Sequence, residues 1–349
     1  MATIQDVASR SGVSVTTVSN LLNGRTNRMS QATLEKVRST IAELNYRPSH
    51  AARQLKTGRI PVLGLLVPSI VNPMFAFFAR EIEIVARKKY GYRIFLGNTY
   101  RQKTEETIFL EDLLSHGVRG AIVVSSLADQ SHFRDAIERG LNIVNYDCRS
   151  TGDDAAKIGA DNVSMDNHWA GRIAAQSLID AGCRRLAFAT ASGRTTSRRD
   201  KIAGFLAAAR DAGLAKEARV IEGKAQSAYG DTELTELGKN LAREIATTPG
   251  GRPDGVVAVN DMLAIGMIAG FREHDVRVPD DISLAGIDDM AFSSLVSPAI
   301  TTVRPPVGEM AELAVHRLMA RMEDPKLPAK DFLFTPTLVR RQSVAGVGG

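Results

Sequence analysis

Apolar positions follow two different rhythms along this chain. Over residues 1–47 they recur every three or four residues, the helical period, and from residue 60 onward they gather into short continuous runs separated by helix-period stretches. In the first region Ile4, Val7 and Ala8 form one face of a helix that opens on Thr3-Ile4-Gln5-Asp6, a capping box with Asp in place of Glu, and ends at Gly12. Ser14 stands where it can cap a second helix carrying Val18, Leu21 and Leu22. Ser30 can cap a third, with Leu34, Val37, Ile41 and Leu44 on one face. The connection around Gly12 and Val13 is too short for the first two helices to lie antiparallel, so they must cross steeply, as in a helix-turn-helix.

That second helix is built from poor helix formers. Its stretch VSVTTVSNLL, residues 13–22, has the β-branched and hydroxyl content of a strand. A helix that enters a nucleic-acid groove has a use for such residues, because short donors and acceptors reach base edges and phosphates without steric conflict while packing behind the helix holds it folded. After Pro48 comes SHAARQLK, residues 49–56, capped by Ser49, basic, and with Leu55 as its single large apolar residue. A helix this short is not stable alone in water, so another surface has to order it.

From residue 60 the texture is apolar run, loop, amphipathic helix, apolar run. PVLGLLVPS, YRIFLGN, RGAIVVSS and LNIVNYD read as buried strands with helices over 74–88, 104–115 and 131–139 between them. The pattern restarts with RRLAFATAS, ARVIEG, DGVVAVN and ISLAGIDD, and helices over 200–212, 231–246 and 261–274. Such alternation predicts parallel sheets covered on both faces, here two doubly wound lobes, each with a crevice at its carboxyl strand ends and a small ligand between them. Polar residues gather at those ends: Asn72, Ser125, Ser126 and Asp147 in the first half, and Asp166, Arg199, Asn260 and Asp288 in the second.

Charge sharpens the division. Residues 1–59 hold nine Lys and Arg against three acids, a balance of +6, while the rest of the 349-residue chain is close to neutral. A compact basic segment on a neutral body is an electrostatic footprint for polyphosphate. No apolar stretch approaches the roughly 18 residues of a membrane span. The opening MATIQDVASRSG is not a signal peptide, so a cytoplasmic protein is expected, and Cys148 and Cys183 read as inert thiols. Nucleotide-loop, zinc-protease and serine-hydrolase motifs do not occur and the six histidines are scattered, so neither an enzyme, a metal nor a cofactor is expected.

TIQDVASRSGVSVTTVSNLLN (3–23) followed by RPSHAARQLKTG (47–58) resembles the LacI family of transcriptional repressors, whose segments read close to TIxDVAxxAGVSxxTVSxxLN and RPSxxARxLxxG. The resemblance implies that the second helix lies in the major groove with Val15, Thr16 and Asn20 facing bases and Thr3, Ser14, Thr17 and Ser19 on phosphates. It implies that hinge helices from two subunits fold in the minor groove, with Leu55 wedged into a base step and Ala52 and Lys56 lining the groove. The likeness runs on through GLLVPSIVNPMFAFFAREIE, VSMDN, SRRDKIAGF, AVNDMLAIG and SLAGIDDMAF, which look like segments of a type I periplasmic-binding-protein-like core. By it Met74 and Phe75 form an apolar wall of the effector pocket, and Asp147, Asp166, Ser197, Arg199, Asn260 and Asp288 supply hydrogen bonds, beside Ser125 at its strand end. Ala225 stands where relatives often place an aromatic residue. Arg194, Arg198 and Arg199 in RTTSRR point toward an anionic ligand such as a sugar acid.

The expected organisation is an all-α helix-turn-helix domain over 1–47, a hinge helix and linker over 48–59, and a two-lobed α/β effector and dimerisation domain over 60–349. Its N-lobe is expected at about 60–160 and 291–320, and its C-lobe at about 161–290 and 321–349. The function expected is a regulator, of repressor type, that binds a palindromic double-stranded DNA operator as a homodimer, or as a tetramer of paired dimers, under control of a sugar, sugar acid or similar effector. The competing reading is a solute-binding protein for sugar uptake, which predicts an export signal and no basic N-terminal domain; the sequence has the opposite features.

Overall fold

The computed structural model describes residues 2–22, 25–27, 29–46, 61–125, 129–147, 159–192, 195–224, 232–248 and 251–346. The chain divides into two compact units, Met1–Ile60 and Pro61–Gly349. The hinge segment that carries Ala52, Leu55 and Lys56 lies outside the described residues, as do Ser126, Cys148, Arg194 and Ala225.

The first unit contains α1 (Ile4–Ser11), α2 (Val15–Leu22) and α3 (Gln31–Glu43). At the start of α1 the capping box forms in both directions: the Asp6 amide donates to Thr3 Oγ1 at 3.2 Å, and the Thr3 amide to Asp6 Oδ2 at 2.7 Å. Gly12 ends the helix at φ 65°, a left-handed conformation that costs glycine nothing. Ser14 then caps α2 through the Thr17 amide at 3.1 Å, and Ser30 caps α3 through the Thr33 amide at 3.2 Å. Val7, Ala8, Val18, Val37 and Tyr46 form the small core, with Ile4, Val13, Leu21, Leu22, Ile41 and Leu44 packed around it.

The second unit contains two six-stranded sheets. Its elements run β1 (Val62–Val67), α4 (Pro73–Tyr90), β2 (Arg93–Asn98), α5 (Lys103–Ser115), β3 (Gly120–Val123), α6 (Ser131–Glu138), β4 (Asn142–Tyr146), β5 (Asp161–Met165) and α7 (Asn167–Asp180). They continue with β6 (Leu186–Ala191), α8 (Thr196–Asp211), β7 (Ala218–Gly223), α9 (Thr232–Thr247), β8 (Gly255–Ala258), α10 (Asp261–Glu273) and β9 (Ser283–Ile287). A 3-10 turn (Ala291–Ser294), β10 (Thr301–Arg304), α11 (Val307–Glu323), β11 (Asp331–Phe334) and β12 (Thr337–Val339) complete the chain. The N-lobe sheet has the order β11-β5-β4-β3-β1-β2 and is parallel throughout. The C-lobe sheet has the order β12-β10-β9-β8-β6-β7, parallel except where β12 runs against β10.

The lobe boundaries differ from those expected from sequence. β5 belongs to the N-lobe, the stretch through β10 stays in the C-lobe, and α11 and β11 return to the N-lobe before β12 goes back. A buried ion cluster explains the return. Asp161, fully buried at the head of β5, takes both arms of Arg317 from α11 at 3.0 Å each and the Lys330 amide at 2.8 Å. A buried carboxylate of this kind must be paired, and its partners lie in the returning segment. Among the described residues the chain passes between lobes after β5, after β10 at Pro305 and Pro306, and between β11 and β12 at Pro336.

Two strands read as buried from their apolar runs are sheet edges. On β2 Phe95 and Leu96 are more than two-fifths exposed, and β7 has only exposed and half-buried positions. An edge strand has one side with no neighbour, so its apolar content alone does not bury it.

Candidate functional site

Both sheets point their carboxyl strand ends at one cleft of about 110 Å³. β1 leads to Asn72, whose side chain accepts from the Met74 amide at 3.0 Å and so starts α4, with Pro73 in its first turn. That start puts Met74 and Phe75 on the cleft wall. Phe78, one turn on, stacks on Tyr146 with ring centroids 3.7 Å apart, and the Tyr146 hydroxyl meets Met310 Sδ at 3.8 Å. Burial pushes this phenol well above its ordinary pKa.

Asp147 follows β4 at φ 55°, in the left-handed region that Asp tolerates better than most residues. Its Oδ1 accepts from Asn167 Nδ2 at 2.8 Å and Ser164 Oγ at 3.5 Å. Burial raises its pKa; the positive charge of Lys201 and hydrogen bonds from Asn167, Ser197 and Ser164 oppose the rise without cancelling it. Ser197 and Lys201 stand on α8 of the opposite lobe, so this carboxylate is held from across the cleft. Ser125, at the end of β3, donates to Glu106 Oε2 at 3.2 Å. The same oxygen lies 2.7 Å from His132 Nε2, so a buried carboxylate orients the cleft hydroxyl from behind.

In the C-lobe, Thr195 caps α8 by accepting from the Arg198 amide at 3.3 Å. Ser197, Arg198 and Lys201 all line the cleft; Lys201 stands four residues after Ser197 and three after Arg198, the spacings that bring side chains onto one side of a helix. Close helix packing fixes them: a Cβ at Gly171 of α7 would overlap the Lys201 carbonyl, and one at Gly204 would overlap the His168 carbonyl. Asn260 caps α10 with Oδ1, 3.0 Å from the Leu263 amide, and faces the cleft beside Asp288, which follows β9 at φ 123°.

Of the residues singled out in the sequence, Asn72, Met74, Phe75, Ser125, Asp147, Ser197, Arg198, Asn260 and Asp288 line the cleft together. Two do not. Asp166 caps α7, its Oδ1 accepting from the Trp169 amide at 2.8 Å, and Arg199 is exposed on the outer side of α8, where its guanidinium meets Thr196 Oγ1 at 3.4 Å. The helical turn of about 100° per residue keeps its neighbour Arg198 on the cleft and brings in Lys201, which had not been singled out. Arg198 donates to the Ala191 carbonyl at 3.1 Å, and Lys201 is only 8% exposed. The signal for Lys201 was in SRRDKIAGF, where it stands four residues after Ser197.

In the first unit Val15 and Thr16 are exposed, and Thr17 Oγ1 pairs with Ser14 Oγ at 2.9 Å. Thr3 is exposed but its hydroxyl already serves the capping box, and Asn20 is half-buried. Ser19 departs from expectation: at 7% exposure it belongs to the inner side of α2, next to Val18. Among the described residues no group of His, Cys, Asp or Glu is arranged to hold a metal ion, and no helix is long and apolar enough to cross a membrane.

Comparison with known proteins fits this architecture. Residues 3–49 match the model of the bacterial regulatory proteins of the lacI family, and residues 175–344 match a periplasmic binding protein-like domain. The ribose operon repressor of Escherichia coli strain K12 is 32% identical over 344 residues, covering 98% of this chain and 100% of that protein. The chain belongs to the LacI family. As a member of it, the protein is a transcriptional regulator. The lac repressor dimer bound to operator and the anti-inducer ONPF shares the fold, with a TM-score of 0.82 at 22% identity over 99% of each chain. A LacI family transcriptional regulator from Enterococcus faecium with bound ribose superposes with a TM-score of 0.71 at 22% identity, over 82% of this chain and 100% of that one.

Proposed function

We propose that this LacI-family regulator is a repressor that binds a palindromic operator as a homodimer and is switched by a sugar or sugar acid held between its lobes. One observation carries the effector half: polar and charged side chains from both lobes converge on a single cleft, with Asp147 of one lobe held by Ser197 and Lys201 of the other. A polyhydroxylated ligand competes for these same groups, donating hydroxyls to Asp147 and Asp288 and accepting from Asn260, Arg198 and Lys201. Such a ligand biases the lobe arrangement only as far as its affinities for two arrangements differ. Phe75 and Met74 supply the apolar wall on which a sugar ring rests.

For the DNA half, the exposed Val15 and Thr16 of α2 are assigned to base edges, with Asn20 beside them, and Ser14, Thr17 and Thr3 to phosphates. Ser19 is left to packing. The hinge roles of Ala52, Leu55 and Lys56 stand as sequence readings. For the dimer, Phe77, Phe95, Leu96 and Ile108 on the N-lobe and Phe292 and Leu295 on the C-lobe are large apolar side chains, each exposed by more than two-fifths. Edge strands with such content call for a partner, and a second copy of the chain is the one assigned here.

The test is operator selection from random duplexes with the full chain, followed by titration of salt and of sugars. A dyad-symmetric site should emerge, its affinity falling about 10³- to 10⁵-fold between about 50 and about 200 mM salt if about six to ten phosphates are neutralised. Failure to enrich any symmetric site would end the operator reading. A panel of sugars and sugar acids without effect on operator affinity or melting temperature would end the effector reading.

A further inference from the structure

Beneath the C-lobe wall of the cleft lies a carboxylate to which the effector reading gives no part. Asp261 is fully buried and is the first residue of α10, directly after the cleft residue Asn260. An acid in the first turn ordinarily serves the N-terminal dipole of its own helix. Its bonds leave the helix instead. Oδ2 accepts from the Met290 amide at 3.1 Å and from Ser293 Oγ at 2.5 Å, and Oδ1 accepts from Thr302 Oγ1 at 2.6 Å. One side chain thus fastens the loop after β9, the 3-10 turn and β10.

The fastened loop is the one that carries Asp288. Asp288 at φ 123° and Asp289 at φ 49° are successive non-glycine residues on the unfavourable side of backbone space, a conformation that persists only where the surroundings enforce it. Thr302 Oγ1 accepts from the Asp289 amide at 3.3 Å, and the Asp289 carboxylate is clamped at 2.5 Å each by Arg304 and Arg341. β9 makes room for the arrangement at Gly286, where any Cβ would overlap Asp261 Oδ1.

We propose that Asp261 is the positioning residue of the cleft: its carboxylate fixes the loop that carries Asp288 beside Asn260 and ties that loop, through buried Ser293, to the turn that exposes Phe292 and Leu295. The ligand half of this inference rests on the effector reading of the cleft, while the bonding half does not. The charged group facing Asp261 from the loop is Asp289, with Arg304 of β10 and Arg341 of the C-terminal segment as its partners. From α9, which packs on α10, the charge that reaches over is Lys239, paired with Glu273 at the far end of α10. Burial pushes the Asp261 carboxyl up to about 6, so mild acid protonates the closed form, and opening of the loop, which returns the carboxyl to water, becomes harder as pH falls through that value.

The experiment is amide exchange of the full-length protein by mass spectrometry, corrected for intrinsic rates, in wild type, Asp261→Asn, Thr302→Val and Thr302→Ser. Residues 288–295 of the wild type should exchange about tenfold slower at about pH 5 than at about pH 7.5, because the closed loop holds the carboxyl near 6 while opening returns it to an ordinary 3.8. Asp261→Asn should exchange fast at both pH values. Thr302→Ser, which keeps the hydroxyl, should follow wild type, and Thr302→Val should follow Asp261→Asn. β1 in the other lobe should not change in any of them. Equal protection of 288–295 in wild type and Asp261→Asn, or a wild type with no pH dependence there, overturns the proposal. D-ribose titrated by calorimetry reads the ligand half. Binding weakened about tenfold by Asp261→Asn supports it, and equal binding overturns it. A wild type that ignores D-ribose counts against ribose as the effector, and the exchange result still decides the role of Asp261.

Discussion

Asp261→Asn replaces a buried carboxylate with a neutral group of the same shape, and the structure dictates how C-lobe stability should then depend on pH. Burial moves this carboxyl from an ordinary 3.8 up to about 6, against the opposing pull of hydrogen bonds from Ser293, Thr302 and Met290. The folded state therefore binds the proton more tightly than the unfolded chain does. A raised folded pKa contributes stability that is complete below about 3.8 and is lost as pH rises through about 6. A shift of about two units, at 1.36 kcal/mol each, gives a swing of about 3 kcal/mol. Asparagine cannot titrate, so wild type should lose about 3 kcal/mol relative to the variant between about pH 4 and about pH 7, with a constant difference above. The constant part contains the hydrogen bonds that asparagine cannot accept, and the slope isolates the charge. Urea unfolding at a series of pH values, followed by the fluorescence of Trp169, measures it. Trp169 is the single tryptophan of the chain and sits at the start of α7 in the same lobe. A flat difference, or a wild type that gains on the variant as pH rises, would refute the reasoning.

Two further outcomes follow from packing. Gly171→Ala gains up to about 1 kcal/mol of helix propensity but drives a methyl into the Lys201 carbonyl, at a cost of about 1–3 kcal/mol, so its melting temperature should fall and the response to effector weaken. Gly308→Ala, in α11 with nothing near its new methyl, should instead melt slightly higher, and a fall there would show that propensity is misjudged. Phe95→Glu places a charge on the exposed edge of β2, where covering a phenylalanine is worth about 1.5–3 kcal/mol. Sedimentation should show dimer dissociation strengthened by at least about tenfold, and an unchanged dimer would locate the interface elsewhere.

Local features of the fold were legible because each depends on neighbours in sequence. Thr3 with Asp6, Gly12, Ser14 and Ser30 announce three helices, and the structure has those caps in place. The strand-end residues Ser125, Asp147, Asn260 and Asp288 were legible from topology alone, since parallel strands with helical crossovers send all their carboxyl ends the same way. Arg199 was expected in the cleft along with Arg198 because apolar spacing gives the phase of a helix only roughly, and one residue of error is about 100° of rotation. Lys201, buried between lobes, gave no local sign that Asp147 was opposite it.

The division of labour is therefore physical. Sequence by itself determined the helix-turn-helix caps, the basic character of the first sixty residues, the parallel α/β texture and the family, because these rest on short-range hydrogen bonding, composition and periodicity. Only the tertiary structure decided which lobe takes β5, β10, α11 and β11, which strands are edges, and which charges meet across the cleft. Asp161 with Arg317, Asp147 with Lys201, and Asp261 with Thr302 join residues far apart along the chain. Their pairing is set by where the low-dielectric interior closes around them, and no local pattern of residues encodes that place.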